Sequence, residues 1–582
     1  VANFAAMRDT LAHRGPDDAA SELFEEGRIA FGHRRLSFLD LSAAGRQPLS
    51  NETGTVWIVF NGEIYNYVEL RRSLRADGHV FKTQTDTEVI LHGYEQWGER
   101  VVDRLKGMFA FGLVDLQTKR LFLARDRFGI KPLYYTLSGS HLVFASELKA
   151  LVCCRDVTRE LDISAIADYL VYRYVPSPKT IWKNIRKLAP ANLLEFDYEN
   201  FRAKTREYWS LRFGEERRAP QSLVETTGQR LAESVAIHAR SDVEVGAFLS
   251  GGYDSSAVVH LMTAAGYRPQ TFSIGFEGWD QSEHHFAKIV ADAFSLPFHY
   301  TLANEGTIGL LGCMPDVYDE PIADISILPT WLVSHEAAKK VKAVMSGEGA
   351  DELFGGYWWQ KNAFAAATER MTRSSWSARL FRRDRKPAND WVEYYADAMA
   401  MGRFDQRELQ EAFTPEYHGA LPDDPEWFYR QHYDRRLTPL KCIQKLDIKC
   451  FMGELVLTKV DRASMANSLE VRVPFLDHEL FDDIVTVRDE CYFRSDVTKF
   501  LLHENIKRHL PDRILGRQKQ GFVGPHDFYM RESFYHDILD DSALAASGII
   551  RDAYIRKLFK EADRWRLWKL AVLEKWYRRW TP

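Results

Sequence analysis

Short apolar runs bounded by turn residues recur between residues 28 and 150, at Arg28–Phe31, Thr55–Phe60, Met108–Asp115, Arg120–Arg125 and His141–Ala145. This rhythm predicts an antiparallel sheet region, with one helix over Thr87–Trp97. From residue 220 the rhythm changes. Apolar strands at Val243–Leu249, Thr271–Phe276, Phe298–Leu302 and Val341–Ser346 alternate with helical patterns such as Ser282–Phe294 and Thr330–Lys340, the signature of a parallel α/β sheet. Beyond residue 360 the pattern is helical and ends in the Trp-rich segment Trp565–Trp580, whose rings are expected to be packing anchors. The polar run Gly214–Pro220 marks a boundary, so residues 1–205 and 221–582 are expected to be two domains joined by a linker at 206–220.

A chain of 582 residues is too long for one hydrophobic core, and 45% hydrophobic with 27% charged residues is a globular composition. A net charge of -5 gives no footprint for nucleic acid, although Arg370–Arg385 is locally basic and is expected to be a solvated face. No apolar run reaches the length of a membrane span, so no membrane partner is expected and the cytoplasm is the expected location. The six cysteines, Cys153, Cys154, Cys313, Cys442, Cys450 and Cys491, lack paired spacing and are expected to be small buried apolar residues.

Candidate chemistry is concentrated where strands end. Leu249-Ser250-Gly251-Gly252-Tyr253-Asp254-Ser255-Ser256 follows an alternating apolar strand. Strand, Ser-Gly-Gly and helix start together aim backbone N–H groups and a positive dipole end at an anion. No Gly-Lys-Ser/Thr ending follows, so the loop suits a pyrophosphate rather than a kinase-like γ-phosphate site, and Asp254 would hold Mg²⁺ against the phosphates. The second such place is Ser346-Gly347-Glu348-Gly349-Ala350-Asp351-Glu352, with three carboxylates within five residues. Asp351 can join Asp254 on the metal, and either Glu348 or Glu352 can orient substrate or accept its proton.

Two further strings, Lys459–Ala466 running into Glu470–Asp477, and Arg517-Gln518-Lys519-Gln520-Gly521-Phe522, complete a pattern that resembles glutamine-dependent asparagine synthetase of the bacterial B type. The resemblance covers nearly the whole chain. It implies an N-terminal Ntn-hydrolase α/β/β/α sandwich and a C-terminal parallel α/β ATP pyrophosphatase domain with a helical extension. It also implies ATP and Mg²⁺ as cofactors, glutamine and aspartate as small-molecule partners, and room for a homodimer. It places Ser250–Ser256 on pyrophosphate, Ile274, Ser346 and Gly347 around adenosine, and Lys519 against the charge that develops on the phosphates. Arg472 and Asp477 stay open between site and structural roles.

His13-Arg14-Gly15-Pro16-Asp17, His33–Ser37, Gln47-Pro48-Leu49, Asn61–Asn66, Thr85–Glu88, Ala124–Asp126 and Lys131–Tyr134 resemble class II glutamine amidotransferases. Arg35 can pair with the α-carboxylate of glutamine and Asp86 and Glu63 with its α-ammonium, while Asn61 with the Gly62 N–H can form an oxyanion hole. The family's nucleophile is an N-terminal cysteine, whereas this chain starts at Val1 and has no cysteine before Cys153. Val1–Leu11 reads as a helix, so the strand bearing that cysteine is expected upstream of residue 1. The alternative is a dead glutaminase fed by free ammonia or another amine. For the acceptor, the alternative is another carboxylate, in a natural product or surface glycan.

Overall fold

The computed structural model describes residues 3–138, 141–214, 219–372, 390–494, 497–517 and 531–581. Most of the Arg-rich stretch 370–385 lies outside them. In the first part a six-stranded antiparallel sheet runs in the order 202–207, 192–197, 120–125, 107–115, 56–64, 49–50. Alternation along these strands splits the side chains between two layers. Ile58, Phe60, Phe109, Phe111, Leu113 and Phe122 pack under the helices Tyr67–Ala76 and Thr87–Trp97. Val59, Ala110, Leu121, Leu123, Leu194 and Phe196 face the other way, onto Phe24, Phe31, Leu133 and Leu188 of the second strand layer. The short helix Phe4–Asp9 packs on the outer strand Ile29–Arg35 and completes the α/β/β/α sandwich. The helix expected over 87–97 has those bounds.

The second part is built on five parallel strands in the order 298–303, 271–276, 245–248, 343–345, 470–472. Four of them are the expected strands. The fifth, Glu470–Arg472, is only three residues long and is not among the expected strands. Strand order reverses between Val245–Phe248 and Ala343–Met345, and ligands of open α/β sheets bind in the crevice at such a reversal.

The two parts share buried side chains. One cluster of buried side chains joins Leu151, Tyr169, Leu170 and Trp182 of the first half to Leu570, Trp568 and Trp576 of the last helix, Arg564–Trp580. Trp568 and Trp576 are fully buried anchors, and their indole N–H groups donate to the carbonyls of Ala323 and Asp319. Of the cysteines, Cys442, Cys450 and Cys491 are buried as expected, Cys153 and Cys154 are half-buried, and Cys313 is exposed.

Charged residues of the sequence strings weld the two parts. The Arg14 guanidinium donates to Glu147 at 2.9 Å and to Asp461 at 2.8 Å, with all three side chains buried. Arg462 pairs with Glu147 at 2.7 Å and with Asp319. Lys131 lies 3.4 Å from Asp461 and 3.6 Å from Glu470, and Glu470 accepts from the Arg472 Nε at 3.0 Å. Removing one member strands its partners in a low-dielectric interior. Asp461→Asn is therefore expected to lower stability by about 3 kcal/mol or more. Urea unfolding checks this, and a loss within the range of a surface substitution would contradict it.

Candidate active site

The five residues singled out around glutamine line one cavity of about 620 Å³ in the first part: Arg35, Asn61, Gly62, Glu63 and Asp86. Arg35 ends the strand Ile29–Arg35, and its guanidinium donates to the carbonyls of Leu39, Asp40 and Ser42 at 2.7–3.1 Å. It forms no ion pair among the described residues, and burial pulls its guanidinium below the usual range. A buried, oriented cation without a carboxylate is a receptor for one. Asn61 and Gly62 lie on the strand Val56–Ile64. The Asn61 Nδ2 is buried without a hydrogen-bond partner among the described residues, a donor suited to an anionic oxygen. Gly62 has φ +145°, and a Cβ there would sit 2.0 Å from the Met108 carbonyl oxygen, so only glycine fits.

Two buried carboxylates complete this cavity. Asp86 precedes the helix Thr87–Trp97 and accepts from the Ile64 N–H at 2.8 Å, yet burial pushes its carboxyl up to about 7. Burial also raises Glu63 well above the usual carboxylate range, against the pull of Arg472, whose Nη2 lies 3.3 Å away. Arg472 is thus an interface residue. From the strand Glu470–Arg472 it reaches Glu63 across the interface, and its own carbonyl accepts from the Ser346 N–H at 2.9 Å. One residue touches both a wall of the first cavity and the loop that bounds the second site.

The second site lies at the strand reversal. Leu249–Gly252 connects Val245–Phe248 to the helix Tyr253–Ala264, whose first turn holds Asp254 and the buried Ser255 and Ser256. The Ser255 hydroxyl accepts from the Ser250 N–H at 3.1 Å and so curls the loop, and the buried Ser256 Oγ has no hydrogen-bond partner among the described residues. Ser346 and Gly347 follow Ala343–Met345. A Cβ on Gly347 would lie 2.9 Å from the Asp254 Cβ, so the two loops are in contact. Ile274 is buried in the neighbouring strand Thr271–Phe276. Of the acidic trio, Glu352 accepts from the Tyr357 hydroxyl at 2.7 Å, while the Glu348 Oε2 is buried without a hydrogen-bond partner among the described residues.

Between the two loops lies a residue that sequence reasoning missed. The Lys499 Nζ is 2.5 Å from Asp254 Oδ1 and 2.5 Å from Asp351 Oδ1. Burial disfavours its charge, but the two carboxylates outweigh burial and hold the ammonium above the usual lysine range. Lys499 sits in a left-handed conformation just before the helix Phe500–Ile506, and a Cβ on Gly356 would lie 2.3 Å from its Cε, so Gly356 leaves room for it. Arg517 adds a second cation, donating to the Ser250 carbonyl at 3.1 Å. Lys519 lies outside the described residues.

Residues 2–209 match the family model for a glutamine amidotransferase domain, and residues 226–578 match that for asparagine synthase. The chain is 34% identical to asparagine synthetase [glutamine-hydrolyzing] 1 of Bacillus subtilis, with 98% of this chain and 92% of that one covered. It is 32% identical to asparagine synthetase [glutamine-hydrolyzing] 3 of the same organism, over 89% of this chain and 84% of that one. It is 28% identical to amidase chry2 of Gibberella zeae, over 90% and 84%.

The titration of Asp86 leads to a signed expectation. Its folded pKa of about 7 lies above its unfolded value of about 4, so its contribution to stability is full below about 4 and lost as pH rises through about 7. An α-ammonium bound beside it favours the ionised form instead. Glutamine should therefore bind with proton release at pH about 6, and affinity should climb between pH about 6 and 8. Calorimetry in buffers of different ionisation enthalpy checks this, and affinity that is flat or falls with pH would contradict it.

Proposed function

Because the chain belongs to the glutamine-hydrolysing asparagine synthetase family, we propose that it adenylates the side-chain carboxylate of aspartate with ATP and converts it to the amide. The observation that carries this reading is the buried Lys499 ammonium between Asp254 and Asp351, at the strand reversal beside the Ser-Gly-Gly loop. In this reading the loop Ser250–Ser256 receives the leaving pyrophosphate, with Ile274, Ser346 and Gly347 beside the nucleoside. Asp254 and Asp351 are hard oxygen donors in the first turns of the helices that follow two touching loops and fit Mg²⁺, which when bound would offset phosphate charge.

A carboxylate oxygen attacks the α-phosphorus, the bond to the bridging oxygen breaks, and pyrophosphate leaves. Negative charge grows on those oxygens, and Lys499, released from its carboxylates toward them, stabilises it where it develops. Ammonia then attacks the acyl carbon and AMP departs with the C–O bond. The unpartnered Glu348 Oε2 accepts the proton that nitrogen loses. Glutamine in the first cavity is the nitrogen source, with its α-carboxylate on Arg35, its α-ammonium on Asp86 and Glu63, and its amide oxygen on Asn61 and Gly62.

The acceptor is the part of this reading that family membership does not decide, and the amidase chry2 likeness keeps a second acceptor in view. The test is pyrophosphate release with ATP, Mg²⁺ and ammonium against a panel of carboxylic acids. Aspartate alone should give pyrophosphate, AMP and asparagine in equal amounts. Turnover with a different acid only would replace aspartate as acceptor, and ADP with inorganic phosphate would overturn adenylation. Lys499→Met should lower turnover by about 10²–10³-fold while shifting the ATP dissociation constant far less, since its charge matters most in the transition state. An equal loss in binding and turnover would reduce Lys499 to a ground-state contact.

A further inference from the structure

Behind the glutamine cavity, on the outer side of the helix Thr87–Trp97, two imidazoles and a carboxylate converge: His79, His92 and Glu95, with ligand atoms all within 4.8 Å of one another. Each is locked by its surroundings. His79 follows the C-terminus of the helix Tyr67–Ala76, where the Gly78 N–H donates to the Arg75 carbonyl and the His79 N–H to that of Leu74, a paired cap that fixes the backbone carrying the ring. The His79 Nε2 is 3.1 Å from the Gln96 side-chain oxygen, which can only accept, so this nitrogen carries the hydrogen and the Nδ1 lone pair faces Glu95 at 3.7 Å. His92 is 1% exposed. Its Nε2 faces the carboxylates of Glu52 and Glu88 at 3.6 and 3.7 Å, while its Nδ1 lies 2.7 Å from Glu95 Oε2. The other oxygen of Glu95 accepts from the buried Asn51 Nδ2 at 2.7 Å, which leaves Oε2 turned toward both rings.

We propose that His79, His92 and Glu95 bind a divalent transition-metal cation of the Zn²⁺ type through Nδ1, Nδ1 and Oε2. Donors about 2.1 Å from a tetrahedral ion stand about 3.4 Å apart, and the observed separations of 2.7 and 3.7 Å from Glu95 Oε2 bracket that spacing. The Gln96 oxygen behind the His79 Nε2, and the Asn51 donor behind the far carboxylate oxygen, belong to the outer shell that orients such ligands. His79 and Glu95 are partly exposed, which leaves the ion a path in and a position for water. The site ties the end of one helix to the body of the next. Glu88, beside His92, accepts from the Lys82 and Thr83 N–H groups, and this clamped segment leads into Thr85 and Asp86 of the glutamine cavity. The ion is a staple behind the pocket, apart from the nucleotide crevice.

Titration of the full chain with Co²⁺, in excess Mg²⁺ to fill oxygen-only sites, tests this. One Co²⁺ per chain should give the visible bands of a low-coordinate nitrogen and oxygen site, be displaced by Zn²⁺, and raise the melting temperature. His79→Gln and Glu95→Gln lie at partly exposed positions that keep the fold without metal, and each should weaken Co²⁺ binding at least tenfold. Their metal-free melting curves and ammonium-dependent turnover should match the wild type. Equal binding by wild type and variants, a thiolate charge-transfer band, or no binding below millimolar Co²⁺ would overturn the site.

Discussion

The geometry of both sites depends on charges that cannot be left alone in the interior. Arg14, Lys131, Arg462 and Arg472 meet Glu147, Asp461, Asp319, Glu470 and Glu63 in one network at the interface between the two parts, nearly all of them out of contact with water. A well-packed apolar interface could be as stable, so net stability is a weak reason for such a network. Register is a better one. Apolar surfaces tolerate sliding, whereas a chain of alternating buried charges has few arrangements without an unpaired member. Glu63 in the first cavity and the Ser346 backbone at the strand reversal are consequently both fastened to Arg472.

The same rule governs the interior of each site. At the strand reversal an ammonium is held between two carboxylates and kept charged by them, and in the proposed mechanism it turns from them to the phosphate on which charge appears. In the first cavity the balance runs the other way. Burial holds Asp86 and Glu63 toward their neutral forms, while Arg35 and the Asn61 amide present donors without an anionic partner. A zwitterion with an ammonium at one end and a carboxylate at the other satisfies both ends at once.

Most of this frame was legible because it rests on periodicity. Short β-type runs between turn signals marked the antiparallel strands, apolar strands separated by helical patterns marked the parallel ones, and the Ser-Gly-Gly and acidic loops stood at strand ends. Glu470–Arg472 escaped because three residues are too few to show a period, and its pairing with Ala343–Met345 is set by the tertiary fold. Lys499 escaped for a different reason. It stands between Thr498 and Phe500 with no glycine-rich or acidic neighbour, and a lone lysine before a short helix looks like a solvated one. Its left-handed backbone and the room left by Gly356 exist only in three dimensions. The core shared between first-half residues and the last helix was hidden likewise, since an apolar face does not name its partner.

Acyl adenylation is the claim that joins the crevice, Lys499 and the loop contacts into one account, and isotope transfer tests it most directly. With aspartate labelled by ¹⁸O in its side-chain carboxylate, ATP, Mg²⁺ and ammonium, each AMP formed should carry one ¹⁸O atom, because the carboxylate oxygen that attacks phosphorus leaves with it. AMP without label would contradict the account, since the α-phosphorus would then have been attacked by something other than the carboxylate.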